Sequence, residues 1–182
     1  MIPLGILASS HYEDGESSIN LFSQGGCEST SGWTLLLSEL ATDTDNKYEG
    51  VKCLKITLGT GRTNGTAYVD IKGLLNTSKY YLASAYLKNG NAATGLKLIA
   101  TCTGDKGNIV SSVISGTDYM RVGVIMQPSD FDGATAVTFG VRVDGTETQY
   151  CYFDACMLNE ITADDYAAGI AACLETYVYT SP

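Results

Sequence analysis

Through much of this chain apolar residues recur at every second position. Leu54, Ile56 and Leu58 alternate with Cys53, Lys55 and Thr57. Met120, Val122, Val124 and Met126 alternate with Arg121, Gly123 and Ile125. Val137, Phe139, Val141 and Val143 alternate with Thr138, Gly140, Arg142 and Asp144. Successive side chains of a strand point to opposite faces, so this period specifies strands buried on one side. Lys79 to Lys88 and Gly95 to Cys102 are apolar at both parities. They are expected to be central strands covered on both faces, although periodicity alone also allows a helix for either. Gly59-Thr60-Gly61, Asn64-Gly65, Asn89-Gly90, Gly104 to Gly107, Asp132-Gly133 and Asp144-Gly145 separate the strand-like runs. Asn-Gly and Asp-Gly reach the positive φ angles of tight hairpins, so these sites predict turns. Many short strands joined by turns predict a β-sandwich or barrel.

Composition narrows the function classes. Eleven basic and 20 acidic residues give a net charge of −9. That balance repels phosphate, so neither nucleic acid nor an anionic membrane is an expected partner. No apolar run approaches the roughly 20 residues of a membrane helix. Six cysteines (Cys27, Cys53, Cys102, Cys151, Cys156, Cys173) include no C-x-x-C pair. A chain of 182 residues builds a core without cross-links. Free, mostly buried thiols are therefore expected, as in a protein folded in a reducing cytoplasm. The odd separation of Cys151 and Cys156 predicts opposite faces of one strand.

The two ends differ from the middle. Residues 1–18 begin with Ile2, Leu4, Ile6 and Leu7. They read either as a first strand tucked onto the core or as an apolar assembly arm that docks on a partner. At the other end Thr162 is a candidate N-cap, Asp164 and Asp165 suit the first helical turn, and Ile161 can staple to Tyr166. A short helix interrupted by Gly169 is expected within 161–182. Its tail from Glu175 returns to strand-like residues, as an edge strand or a segment pairing with another subunit. His11, the sole histidine, lies in a polar stretch and reads as a loop residue. No Gly-x-Ser-x-Gly elbow occurs and no cysteine has an identifiable base beside it, so the expectation is a non-enzyme.

The order of landmarks resembles a known family. Asn20-Leu-Phe22, Cys27-Glu-Ser29 and Gly32-Trp33 come first; Tyr48-Glu-Gly50 and Lys79-Tyr-Tyr-Leu-Ala-Ser-Ala-Tyr-Leu-Lys88 follow; Tyr152-Phe-Asp-Ala-Cys-Met-Leu158 closes. This resembles the jelly-roll, galactose-binding-like carbohydrate-binding modules attached to xylanases and glucanases, over residues 19–160. The start Ile2-Pro-Leu-Gly-Ile-Leu-Ala-Ser9 is similar to the first residues of some tailed-bacteriophage virion proteins. The resemblance implies an all-β jelly-roll sandwich with an N-terminal arm and a short C-terminal helix and tail.

It also implies sites. In the module family a structural calcium ties the first strand to the last, and the matching positions are Glu28 and Asp154, with Asn20 or Asn159 as further oxygen donors. The chain departs from that pattern at Cys27, where an aromatic is usual, and at Ala155, where a second Asp is common. Trp33 matches a position that packs into the sandwich. Sugars stack on aromatic faces, and Tyr48, Tyr68, Tyr86, Tyr119, Tyr150 and Tyr152 are candidate platforms. Tyr48, Tyr86 and Tyr119 are taken as the glycan-binding set. The expected function is a non-enzymatic virion structural or accessory protein, a tail appendage or capsid decoration. It would be made in the host cytoplasm, contacting other virion proteins and its own copies. The alternative is an adhesion module recognising host surface glycans.

Overall fold

The computed structural model describes residues 19–104 and 106–179. Ten strands form two antiparallel five-stranded sheets. The first sheet has the order β1 (Thr34–Leu36), β4 (Asn64–Asp70), β9 (Val137–Asp144), β6 (Leu96–Cys102), β7 (Gly107–Val110). The second has the order β2 (Ser38–Asp43), β3 (Cys53–Leu58), β10 (Tyr150–Ile161), β5 (Tyr80–Asn89), β8 (Met120–Met126). The chain crosses repeatedly between the sheets, as in a jelly roll. The all-β sandwich expected from the alternation is the observed architecture.

The alternation shows directly in the packing. Leu54, Ile56 and Leu58 of β3 and Val137, Phe139, Val141 and Val143 of β9 are all buried. They meet Ala83, Ala85 and Leu87 of β5 and Leu98 and Ala100 of β6 in one core. Each large apolar side chain sealed there contributes roughly 1.5–3 kcal/mol. Trp33 belongs to this core. Its ring lies 4.9 Å from Phe153 and 5.9 Å from Phe22, and Phe22 reaches Phe139 at 5.8 Å. Segment 19–27 is stitched to β10: Leu21 N–H donates to Leu158 O at 2.8 Å, and Asn20 Oδ1 accepts from Leu158 N–H at 3.0 Å.

Several expectations are corrected. Asn64-Gly65 is no turn: both residues lie in β4, paired with Asp144 and Val143. A Cβ on Gly65 would stand 2.8 Å from Ser38 Cβ, so this glycine permits close packing of strands. Met120 begins the edge strand β8 and stays half exposed, at 52%. Cys151 and Cys156 do not face opposite ways. A β-bulge between Asp154 and Met157, with Ala155 at φ +46°, shifts the parity, so Cys151, Phe153, Cys156 and Leu158 all enter the core. All six thiols are free and buried, and Cys27 Sγ lies 3.6 Å from Cys156 Sγ.

Beyond β10, Thr162 Oγ1 accepts from Asp165 N–H at 3.0 Å and caps α2 (Ala163–Ala168). Gly169, at φ +92°, separates it from α3 (Ile170–Thr176), a left-handed conformation that suits glycine. Glu175 and Thr176 are helical, not strand. Ile161, Tyr166, Ile170, Leu174 and Tyr177 pack with Leu82 and Cys173, laying the helices over one end of the second sheet's outer face. The arm residues Ile2, Leu4, Ile6 and Leu7, His11, and tail residues 180–182 lie outside the described residues.

Candidate functional site

The other end of that outer face carries the candidate site. Parity points Lys55 of β3, Tyr150 and Tyr152 of β10, and Ser84, Tyr86 and Lys88 of β5 away from the core. Register then makes them neighbours: Tyr152 pairs with both Lys55 and Lys88, and Tyr86 pairs with Asp154 and Arg121. Lys55 Nζ stands 3.9 Å above the Tyr150 ring and 6.0 Å from Tyr152. Lys88 Nζ lies 5.8 Å from the rings of Tyr119 and Tyr152 and donates to Asn46 Oδ1 at 3.0 Å. Arg121 donates to Ser84 Oγ at 3.0 Å and to Leu174 O of α3 at 2.7 Å, marking the border with the helical cap. Burial draws its pKa down from the ordinary guanidinium value.

Tyr48, on the loop between β2 and β3, is brought onto this face. Its ring stacks on Tyr86 at 3.7 Å with 16° between planes, and Tyr119 meets it edge-on at 5.6 Å. The three tyrosines of the expected glycan-binding set therefore form one cluster. Tyr119 O–H donates to Asn46 O at 2.5 Å. The hydrogen bond with Tyr86, with burial behind it, pushes the Tyr48 phenol up to about 12. Burial, then the Asp43 charge, pushes Tyr152 to about 12. These phenols stay protonated at neutral pH and can donate to a ligand. Tyr48 remains 44% exposed, leaving part of its surface for a partner. Tyr68 lies apart, in β4 of the other sheet.

Asp154 explains how the loop is held. It is completely buried; its Oδ2 accepts from Tyr48 N–H at 2.9 Å and Glu49 N–H at 3.1 Å, and its Oδ1 from Ala155 N–H at 2.7 Å. Burial raises its pKa against the pull of those three donors, and the Glu28 charge adds to the rise. Glu28 accepts from Val51 N–H at 2.7 Å, and a Cβ on Gly50 would collide with it. Glu28 and Asp154 thus meet at one loop and hold its backbone. Calcium wants six to eight oxygens. Among the described residues no three His, Cys, Asp or Glu side chains gather into a group that could hold a metal. Asn20 Oδ1 is engaged by the N–H groups of Phe22 and Leu158. Asn159 Nδ2 is turned to Ile19 O. Asn159 Oδ1 is buried without a hydrogen-bond partner among the described residues.

Lys55, Lys88 and Arg121 were outside the set expected from sequence. Their parity is legible in the alternation, but their adjacency to the tyrosines comes from the pairing register.

No family model matches the chain, and no curated protein matches it. Solved structures do resemble it. The CBM22-1 xylan-binding domain of Paenibacillus barcinonensis Xyn10C superposes with a TM-score of 0.60 at 15% identity, covering 82% of this chain and 99% of that one. A family 16 carbohydrate-binding module gives 0.60 at 19% identity, covering 76% and 99%. The enzymatically active domain of tailspike protein 4 of bacteriophage CBA120 gives 0.59 at 16% identity, covering 79% of this chain but 22% of that one. The fold is the jelly roll of carbohydrate-binding modules.

Proposed function

We propose that this chain is a non-catalytic glycan-binding module, with the outer face of the second sheet as its binding surface. The observation that carries this is the convergence of Tyr48, Tyr86 and Tyr119 from a loop, strand β5 and the residue just before edge strand β8. Exposed aromatic faces meet the apolar faces of sugar rings, and the neighbouring phenol and ammonium donors satisfy hydroxyls. The backbone donors on Asp154 leave that carboxylate as a scaffold group, which favours binding over turnover. Retention on a panel of surface polysaccharides tests the reading. Tyr48→Ala combined with Tyr86→Ala should reduce binding about tenfold or more. Equal retention by the wild type and this variant overturns it.

The setting we propose is a bacteriophage virion, as a tail appendage or decoration carrying this module among other virion proteins and copies of itself. The likeness to a domain within a phage tailspike supports this setting. Mass spectrometry of purified particles tests it: presence in stoichiometric amounts supports the setting, and absence from particles of an infected culture that makes the protein overturns it. For Glu28 and Asp154 we propose metal-free anchoring of the loop, with structural calcium as the competing proposal.

A further inference from the structure

Lys55 and Lys88 stand on either side of Tyr152, one on each neighbouring strand. Strand spacing of about 4.8 Å separates each from Tyr152 in the plane of the sheet. Tyr150 lies under Lys55, and Tyr119 flanks Lys88. Rings and ammonium groups therefore alternate along one strip across three strands. Among the described residues neither lysine has a carboxylate within ion-pair distance, whereas Lys79, Lys97 and Arg142 each do. Asp43 feels the Lys55 charge from beyond ion-pair distance. Asp43 Oδ1 already accepts from Asp45 N–H, Asn46 N–H and Asn46 Nδ2. In a chain of net charge −9, Lys55 and Lys88 are two cations on one aromatic face with no carboxylate at ion-pair distance, so each can meet an anion carried by a ligand.

We propose that this strip binds an acidic polysaccharide, a polymer of uronic acid residues. This rests on the glycan-binding reading of the same face and names its ligand class. The tyrosine rings lie against sugar faces, and the Lys55 and Lys88 ammonium groups pair with carboxylates carried along the polymer. Diffuse attraction cannot imitate this, because the net charge has the wrong sign for an anionic polymer.

The test is depletion of the protein by cross-linked polygalacturonate, compared with the same polymer after its carboxyl groups are reduced. The expected result is about tenfold tighter binding to the acidic form, weakening as salt rises from about 50 to 500 mM. Lys55→Gln with Lys88→Gln should lose that preference, while Lys55→Arg with Lys88→Arg keeps it. Lys97→Gln with Arg142→Gln, on the opposite face, should leave it unchanged. Thermal melts check that each variant is folded, and the arginine pair decides the question should the glutamine pair unfold. Equal binding to both polymers, unaffected by the lysine changes, overturns the acidic class and leaves the glycan reading standing. Equal loss from the opposite-face pair overturns the strip as the site. Binding to neither polymer, nor to neutral xylan or glucan, overturns both readings.

Discussion

The two outer faces of the sandwich are built on the same alternation yet spend their charges differently. On the first sheet, Lys97 Nζ lies 3.0 Å from Asp144 Oδ2 and Arg142 Nε 2.9 Å from Asp144 Oδ1. One carboxylate thus neutralises both cations, and short residues such as Thr66, Thr101 and Thr138 fill the positions around them. Tyr68 lies beside Gly140, where a Cβ would come within 2.8 Å of the Tyr68 Cβ. On the second sheet Lys55 and Lys88 rest over rings, Asp154 is sealed beneath a loop, and Asp43 is held by Asp45 and Asn46. A face whose ion pairs close on themselves offers a ligand little. A face that keeps cations and aromatic edges open is equipped to bind. The tyrosines alone do not distinguish the two, since Tyr68 is aromatic too.

The contrast breaks most sharply at Asp154. Asp154→Ala strands the Tyr48 and Glu49 amides and frees the loop that carries Tyr48. Denaturant unfolding should register a loss of about 2–4 kcal/mol, together with weakened polysaccharide retention. A variant as stable as the wild type would remove the anchoring role. On the other face, Gly140→Ala forces a methyl within 2.7 Å of Ala67 O. It should cost about 1–3 kcal/mol and leave binding per folded molecule intact, which retention assays on the folded fraction will show.

Acid titration sharpens the comparison through its sign. Burial raises the Asp144 pKa, but the hydrogen bonds from Lys97 and Arg142 outweigh it and hold the carboxyl below its ordinary value of 3.8. Its contribution is present above that value and is lost as pH falls through the lower folded value. Asp154 runs the other way: raised by burial, its contribution is full below 3.8 and is lost as pH rises through the folded value. Urea melts across this acid window should therefore show wild type losing ground to Asp144→Asn as pH falls. Against Asp154→Asn, wild type should lose ground as pH rises. Identical pH slopes for the two pairs would contradict the opposed environments. The smallest effect is expected from metal removal. A chelator should leave the melting temperature unchanged, and a drop restored by calcium would reinstate the cation at Glu28 and Asp154.

Much of the fold is legible in the sequence. The period of two located the inner faces of β3 and β9 residue by residue, because burial on one side of a pleated strand imposes that period locally. Thr162 and Gly169 marked the helix start and its break, since capping and left-handed backbone are requirements of single residues. Parity alone places Cys151 and Cys156 on opposite faces, but the Ala155 bulge adds one residue to β10 that nothing in the local pattern counts. Asn64-Gly65 fits a turn and a close approach of two strands equally well, and packing selects the second.

The site divides along the same line. Sequence by itself determined that this is an all-β chain, which side chains leave the core, and that tyrosines were the aromatic groups on offer. Only the tertiary structure decided that Tyr48 would lie on Tyr86, that Lys55 and Lys88 would flank Tyr152, and that Asp154 would hold a loop across them. Parity is a property of one strand and is written in its residues. Adjacency depends on which strands pair, in what register, and on how the loop between β2 and β3 closes over the sheet, and those are settled by packing of the whole core.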